Sequence, residues 1–297
     1  MNRPDIPHFQ TTMGVRVLLL LCLALVGLLV TSGMTVVLMR LAGAGSAATI
    51  YYSLFIQDVM VFMVPAIAAM AICYRNPLRL MGLRQAPPWQ ALVLVMLVIL
   101  LSLPAMNWVV EWNKGLHLPA GLAGLEQELR QLEDQAGDTV QMLLGGADVG
   151  TLVLNLFIMA VMAGVSEECF FRGAMLGMLA AGRRNVHLAV WVVAIVFSAF
   201  HFQFSGFVPR MLIGAWFGYL FVRTQSLWVP IFAHAINNSL VVVAGWLAAR
   251  GVVDDGQLDQ LGVPQAGEMP WLALASAVAT LAVIALWWHR QKPAADC

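Results

Sequence analysis

A chain of 297 residues that is 61% hydrophobic and only 11% charged falls well below the charge content of soluble domains, which averages about 25%. It has too little polar surface to coat a water-soluble globule, and its mean hydropathy of +0.81 marks an all-α polytopic membrane protein. Lys and Arg number 16 and Asp and Glu number 16, so there is no basic footprint for nucleic acid. The cysteines Cys22, Cys73, Cys169 and Cys297 are scattered without a CxxC pair, which argues against a disulfide framework or a cysteine-rich metal site.

A membrane-crossing helix needs about 20 apolar residues. Segments of that kind fall near 15–39, 50–73, 89–111, 150–178, 188–204, 208–224, 227–247 and 270–288, predicting about eight transmembrane helices. The fourth is long and the fifth and sixth are short. Small residues follow the first segment, as at a signal-peptide cleavage site. Its apolar run exceeds the roughly 7–15 residues of a signal peptide, so it reads as a retained span. Lys and Arg concentrate in alternate loops, with Arg75, Arg79 and Arg84 after the second span and Arg183 and Arg184 after the fourth. Cytoplasmic loops carry such an excess. Both termini are therefore expected in the cytoplasm, in a protein integral to the cell (inner) membrane.

The longest polar stretch, 113–149, joins the third and fourth spans on the expected outer side. Within it Leu122, Leu125, Leu129 and Leu132 recur at helical spacing. This fits a short amphipathic helix on the membrane surface, either a solvated connection or a lid over a cavity. The chain thus divides into spans one to three (1–112), an extracytoplasmic amphipathic loop (113–149), a core of spans four to seven (150–247), and an outer loop, eighth span and cytoplasmic tail (248–297).

Glu167 and Glu168 stand side by side in the fourth span. A charge at the centre of a membrane helix costs roughly 2.5–3.5 kcal/mol on insertion scales, and residues that bear it are usually functional. Glu168 and Arg172 are four apart and share a helix face, so they can pair. Glu167 points about 100° away and has no partner on its own helix, which leaves it for proton transfer as a general base or acid. His201 follows in the fifth span, on one face with Phe197. His234 and Asn238 project together from the seventh. Taken singly, each histidine reads more readily as a core residue bonded to a neighbouring helix. At about 1.5 Å per residue, Glu167 and His201 each lie roughly 20 Å from the inner end of their spans, but His234 only about 10 Å. Convergence of the three requires a protruding fourth helix or a bend at Gly173 or Gly177.

The ordered motifs Glu167-Glu168-x-x-x-Arg172, Phe197-x-x-x-His201 and His234-x-x-x-Asn238 resemble those of the CPBP (Abi) family of CAAX prenyl endopeptidases and bacteriocin-processing proteins. The likeness covers about a quarter of the chain, 165–240. It implies a CAAX-protease-like bundle and an intramembrane endopeptidase acting on a peptide or membrane-anchored protein. It further implies that Glu167, with His201, activates a water, that His234 and Asn238 stabilise the oxyanion, and that Arg172 holds Glu168. Members have been described both as metalloproteases and as glutamate proteases. Glu167, His201 and His234 are the side chains that would hold Zn²⁺, although the HExxH helix of zinc proteases is absent. A glutamate-activated water is the favoured reading. Alternatives are a non-catalytic membrane protein of bacteriocin self-immunity type, with the polar core binding a partner, and a proton-coupled transporter. No inverted repeat supports the latter.

Overall fold

The computed structural model describes residues 11–43, 46–181, 185–254, 256–265 and 267–290. The chain termini and Arg183 and Arg184, on which much of the expected orientation rests, lie outside the described residues, as does Asp255. Nine helices of seven residues or more organise the described chain. They are α1 (Met13–Ala42), α2 (Ala47–Cys73), α3 (Trp89–Lys114), α4 (Ala123–Leu144), α5 (Val149–Ala180), α6 (Val186–Ala199), α7 (Phe207–Thr224), α8 (Trp228–Ala249) and α9 (Trp271–Arg290).

The helices start where side-chain oxygens cap free N–H groups. Thr12 accepts from the Val15 amide, Ser46 from Thr49 and Asp148 from Thr151. By length and composition α1, α2, α3, α5, α8 and α9 can each cross a membrane. The expected fifth and sixth spans are the shorter helices α6 and α7. Helix α6, of 14 residues, reaches only about 21 Å, because the chain turns away at His201–Gly206 instead of continuing to 204.

Helix α6 packs along α7, α9 along α3, and α8 against α5. Proline in a helix interior removes a ladder bond. At Pro104 the break in α3 is covered from α9, where the Ser276 hydroxyl accepts from the Ala105 amide and donates to the Leu101 carbonyl. The core between α2, α5 and α6 is aromatic: the Phe170 and Phe171 rings meet edge to face at 5.0 Å, and Phe171 meets Phe197 at 5.1 Å.

Two features place α5 relative to α8. Helix α5 contains two π-helical stretches, Leu156–Met162 and Cys169–Leu176, on either side of the turn that bears the glutamates. Such bulges add a residue to a turn and re-aim the side chains that follow. Second, a Cβ on Gly164 would lie 3.2 Å from the Ala235 amide nitrogen, tighter than ordinary contact, so glycine eases the close approach of α8. Together they bring His234 beside Glu167, and the depth mismatch expected from straight helices disappears. The reshaping occurs around Glu167, not at the expected Gly173 or Gly177 alone.

Candidate active site

Glu168 and Arg172 lie one turn apart on α5, and both are fully buried. Arg172 Nη1 donates to Glu168 Oε1 at 2.6 Å, and Nη2 donates to the Gly214 carbonyl of α7 at 2.7 Å. The guanidinium is stacked against Phe197, 4.5 Å from its ring centre, and faces Phe217 at 5.4 Å. Guanidinium groups are weakly hydrated and stack on aromatic faces, so this arrangement ties α5, α6 and α7 around one cation.

His234 of α8 joins the same carboxylate: its Nδ1 lies 2.9 Å from Glu168 Oε1. Arg172 and His234 thus share one oxygen. A carboxylate can only accept, so His234 Nδ1 is the donor and Nε2 is the ring nitrogen left for other contacts. His201 is set in the same way. Its Nδ1 lies 2.8 Å from the Phe197 carbonyl, which also only accepts, so Nδ1 is again the donor.

Both Nε2 atoms face Glu167. Its Oε2 is 3.8 Å from His201 Nε2 and 4.0 Å from His234 Nε2, and it has no hydrogen-bond partner although buried. Three polar atoms thus converge, at separations too long for direct hydrogen bonds. Asn238, one turn beyond His234, donates through Nδ2 to the Met159 carbonyl at 3.0 Å, leaving one amide hydrogen uncommitted.

The donor types around Glu167 are those zinc accepts, but their arrangement is not a cage. Among the described residues no group of three or more His, Cys, Asp or Glu side chains could hold a metal ion.

Several residues at the site escape a motif-based reading. His201 does not sit within a span but in the turn after α6, followed by Phe202 in the left-handed region at φ 51°. Such a conformation costs a bulky residue of order 1–3 kcal/mol and persists only where the surroundings enforce it. Here they do. Buried Asn113 at the end of α3 donates to the Phe204 carbonyl and accepts from the Val208 amide. Glu133 of α4 accepts from the Ser205 amide, and Arg130 donates to the Ser205 hydroxyl. The amphipathic helix is therefore bolted to the turn that carries His201. Buried Asp58 of α2 lies close enough to interact electrostatically with Ser166 and Glu167. An ionisable residue inside a span was the available signal for Asp58. Asn113 and Glu133 carried none, because their partners are distant in the chain.

Residues 149–240 match the family described as type II CAAX prenyl endopeptidase Rce1-like. The matched segment begins at α5 and ends in α8, so it contains every side chain that converges on Glu167 except Asp58. A protein of Bacillus subtilis (strain 168) described as "Putative membrane peptidase YdiL" is 29% identical to this chain over 90 residues, 30% of this chain. The chain covers 36% of that relative's length. No solved structure matches. Helices α1 to α4 and α9 lie outside the matched segment.

Proposed function

We propose that the protein is an intramembrane endopeptidase that cleaves peptide or membrane-anchored protein substrates with a water activated by Glu167 and His201. The observation that carries this reading is the facing of Glu167 Oε2 by the Nε2 atoms of His201 and His234 at 3.8 and 4.0 Å. A polar gap of this length is one that a single bridging water closes. Such a water would donate one hydrogen to Glu167 Oε2 and the other to His201 Nε2, turning an oxygen lone pair toward the substrate.

In the reaction, the water oxygen attacks the scissile carbonyl carbon while Glu167 takes a proton. The carbonyl π electrons move to oxygen, which becomes an oxyanion. Collapse of the tetrahedral intermediate breaks the C–N bond, and Glu167 returns the proton to the leaving nitrogen. Asn238 offers its uncommitted amide hydrogen to the oxyanion, and His234 supports it from the same helix. Glu168 and Arg172 do no bond chemistry; they fix the tautomer of His234 and the position of α5. The family's description, CAAX prenyl endopeptidase, supports a prenylated C-terminal peptide as the first substrate to try.

The test is cleavage of a prenylated CAAX-type peptide by purified protein in liposomes, with and without chelator, for wild type and Glu167→Gln. The expected result is wild-type cleavage that survives chelation and a loss of about 10²–10⁴ in kcat for the variant, the range typical of a general base. Equal rates for the two proteins would reject catalysis and favour the self-immunity reading, in which the polar core binds a partner.

A further inference from the structure

The water-activating side of the site is complete, but the side facing the developing oxyanion has no fixed positive charge. Arg172 is committed to Glu168 and Gly214. Both Nδ1 atoms are engaged by Phe197 and Glu168, and one of the two Asn238 hydrogens is bonded to Met159. One more cation stands close. Arg210, in the first turn of α7, interacts electrostatically with Glu167 and with His201. The groups facing it are Glu167 from α5, Glu133 from α4, and His201 and Gln203 from the turn.

Arg210 Nη2 donates to Gln203, whereas Nη1 is buried without any hydrogen-bond partner. A buried donor left unpaired costs about 1–3 kcal/mol, and more when charged. Native structures keep such groups rarely, and each one calls for a reason. Gly206 shows that the guanidinium is seated and not merely swept aside: a Cβ there would come within 3.1 Å of both Nη1 and Nη2 and 3.3 Å of Cζ. The planar group lies flat on a residue without a side chain, at the turn that also holds His201.

We propose that Arg210 is a catalytic residue of the peptidase reaction, its free Nη1–H donating to the oxyanion formed when the activated water adds to the scissile carbonyl. This rests on the peptidase reading above. The substrate it acts on is the amide itself: as the carbonyl π electrons move to oxygen, that oxygen becomes an acceptor for Nη1. A donor of this kind acts on the transition state and not on the bound ground state.

The test compares wild type, Arg210→Met, Arg210→Lys and Gly206→Ala in the liposome assay with the prenylated peptide, reading kcat and KM separately. Removing an oxyanion donor typically lowers kcat on the order of 10²–10³-fold. Arg210→Met is expected to show that loss with KM within a few-fold of wild type. Arg210→Lys, which keeps the charge but not the planar fork, should recover part of it. Gly206→Ala, which displaces the guanidinium without removing it, should fall between. Millimolar guanidinium ion should partly restore Arg210→Ala. A kcat unchanged in Arg210→Met, a change confined to KM, or a kcat loss that neither lysine nor guanidinium relieves would each overturn the assignment while leaving the Glu167 reading intact. If wild type cleaves no peptide at all, the peptidase reading fails and Arg210 loses its role with it.

Discussion

The adjacent glutamates have different surroundings and should fail differently. Glu168 is fully buried between Arg172 and His234. Breaking a buried ion pair by removing one partner typically costs about 3–5 kcal/mol, because the other charge stays behind uncompensated. Glu168→Gln is thus expected to lower thermal stability markedly, whereas Glu167→Gln, which removes no ion-pair partner within hydrogen-bond range, should keep the wild-type Tm and lose turnover. Tm and kcat measured on the same preparations check this, and equal losses in both variants would contradict the division. Much of this was legible in the sequence. The four-residue spacing gave the Glu168–Arg172 pair, and the leftover Glu167 pointed to the histidines. The sharing of one Glu168 oxygen with His234 was not legible, since it depends on the approach of α8 that Gly164 permits. Nor was Arg210, whose meaning comes from an unpaired nitrogen and not from a motif.

At the scale of elements, two departures from straight-helix expectation shape the site. The π-helical stretches of α5 carry no reliable sequence mark, so extrapolation at a fixed rise put His234 at the wrong depth. The apolar run of the fifth span continued to 204, but the chain turns at His201 because Asn113, Arg130 and Glu133 hold the following backbone. Helix α4 is therefore more than a solvated connector. Glu133→Ala is expected to lower kcat several-fold and to raise hydrogen exchange of residues 202–206, without a comparable change in α5. Unchanged exchange there would show that α4 does not hold the turn. The base of α4 is secured by Glu126, which accepts from the Leu118 amide, His117 and Arg130. These bonds, the Leu118 amide foremost, hold the Glu126 carboxyl down at about 2. A carboxylate whose folded value lies below its unfolded value, about 4.3, contributes stability that is present above the unfolded value and lost as pH falls toward the folded one. Acid should therefore loosen the 116–130 region only between about pH 4.3 and pH 2, as followed by hydrogen exchange. In Glu126→Gln that pH dependence should vanish, and loosening at pH 6 in the wild type would contradict the account.

For the whole molecule, composition alone carried the membrane class, and the apolar runs located the helices to within a few residues. Orientation is a separate matter, resting on Lys and Arg in loops near Arg75–Arg84 and at Arg183 and Arg184. The proposed topology puts Arg79 on the cytoplasmic side and Asp134, on α4, outside. In a cysteine-free background, Arg79→Cys should react with an impermeant thiol reagent only when the cytoplasmic face is exposed, and Asp134→Cys only from the opposite face. The reverse pattern would invert the orientation. A cellular measurement addresses the central claim, water activation by Glu167, even while the substrate is unidentified. Membranes from cells producing wild type and from cells producing Glu167→Ala at equal levels are compared by proteomics of peptide termini. The account predicts a set of new termini on membrane-associated proteins in the wild type that is absent from the variant. Identical termini in both, with the variant keeping its full biological effect, would contradict it.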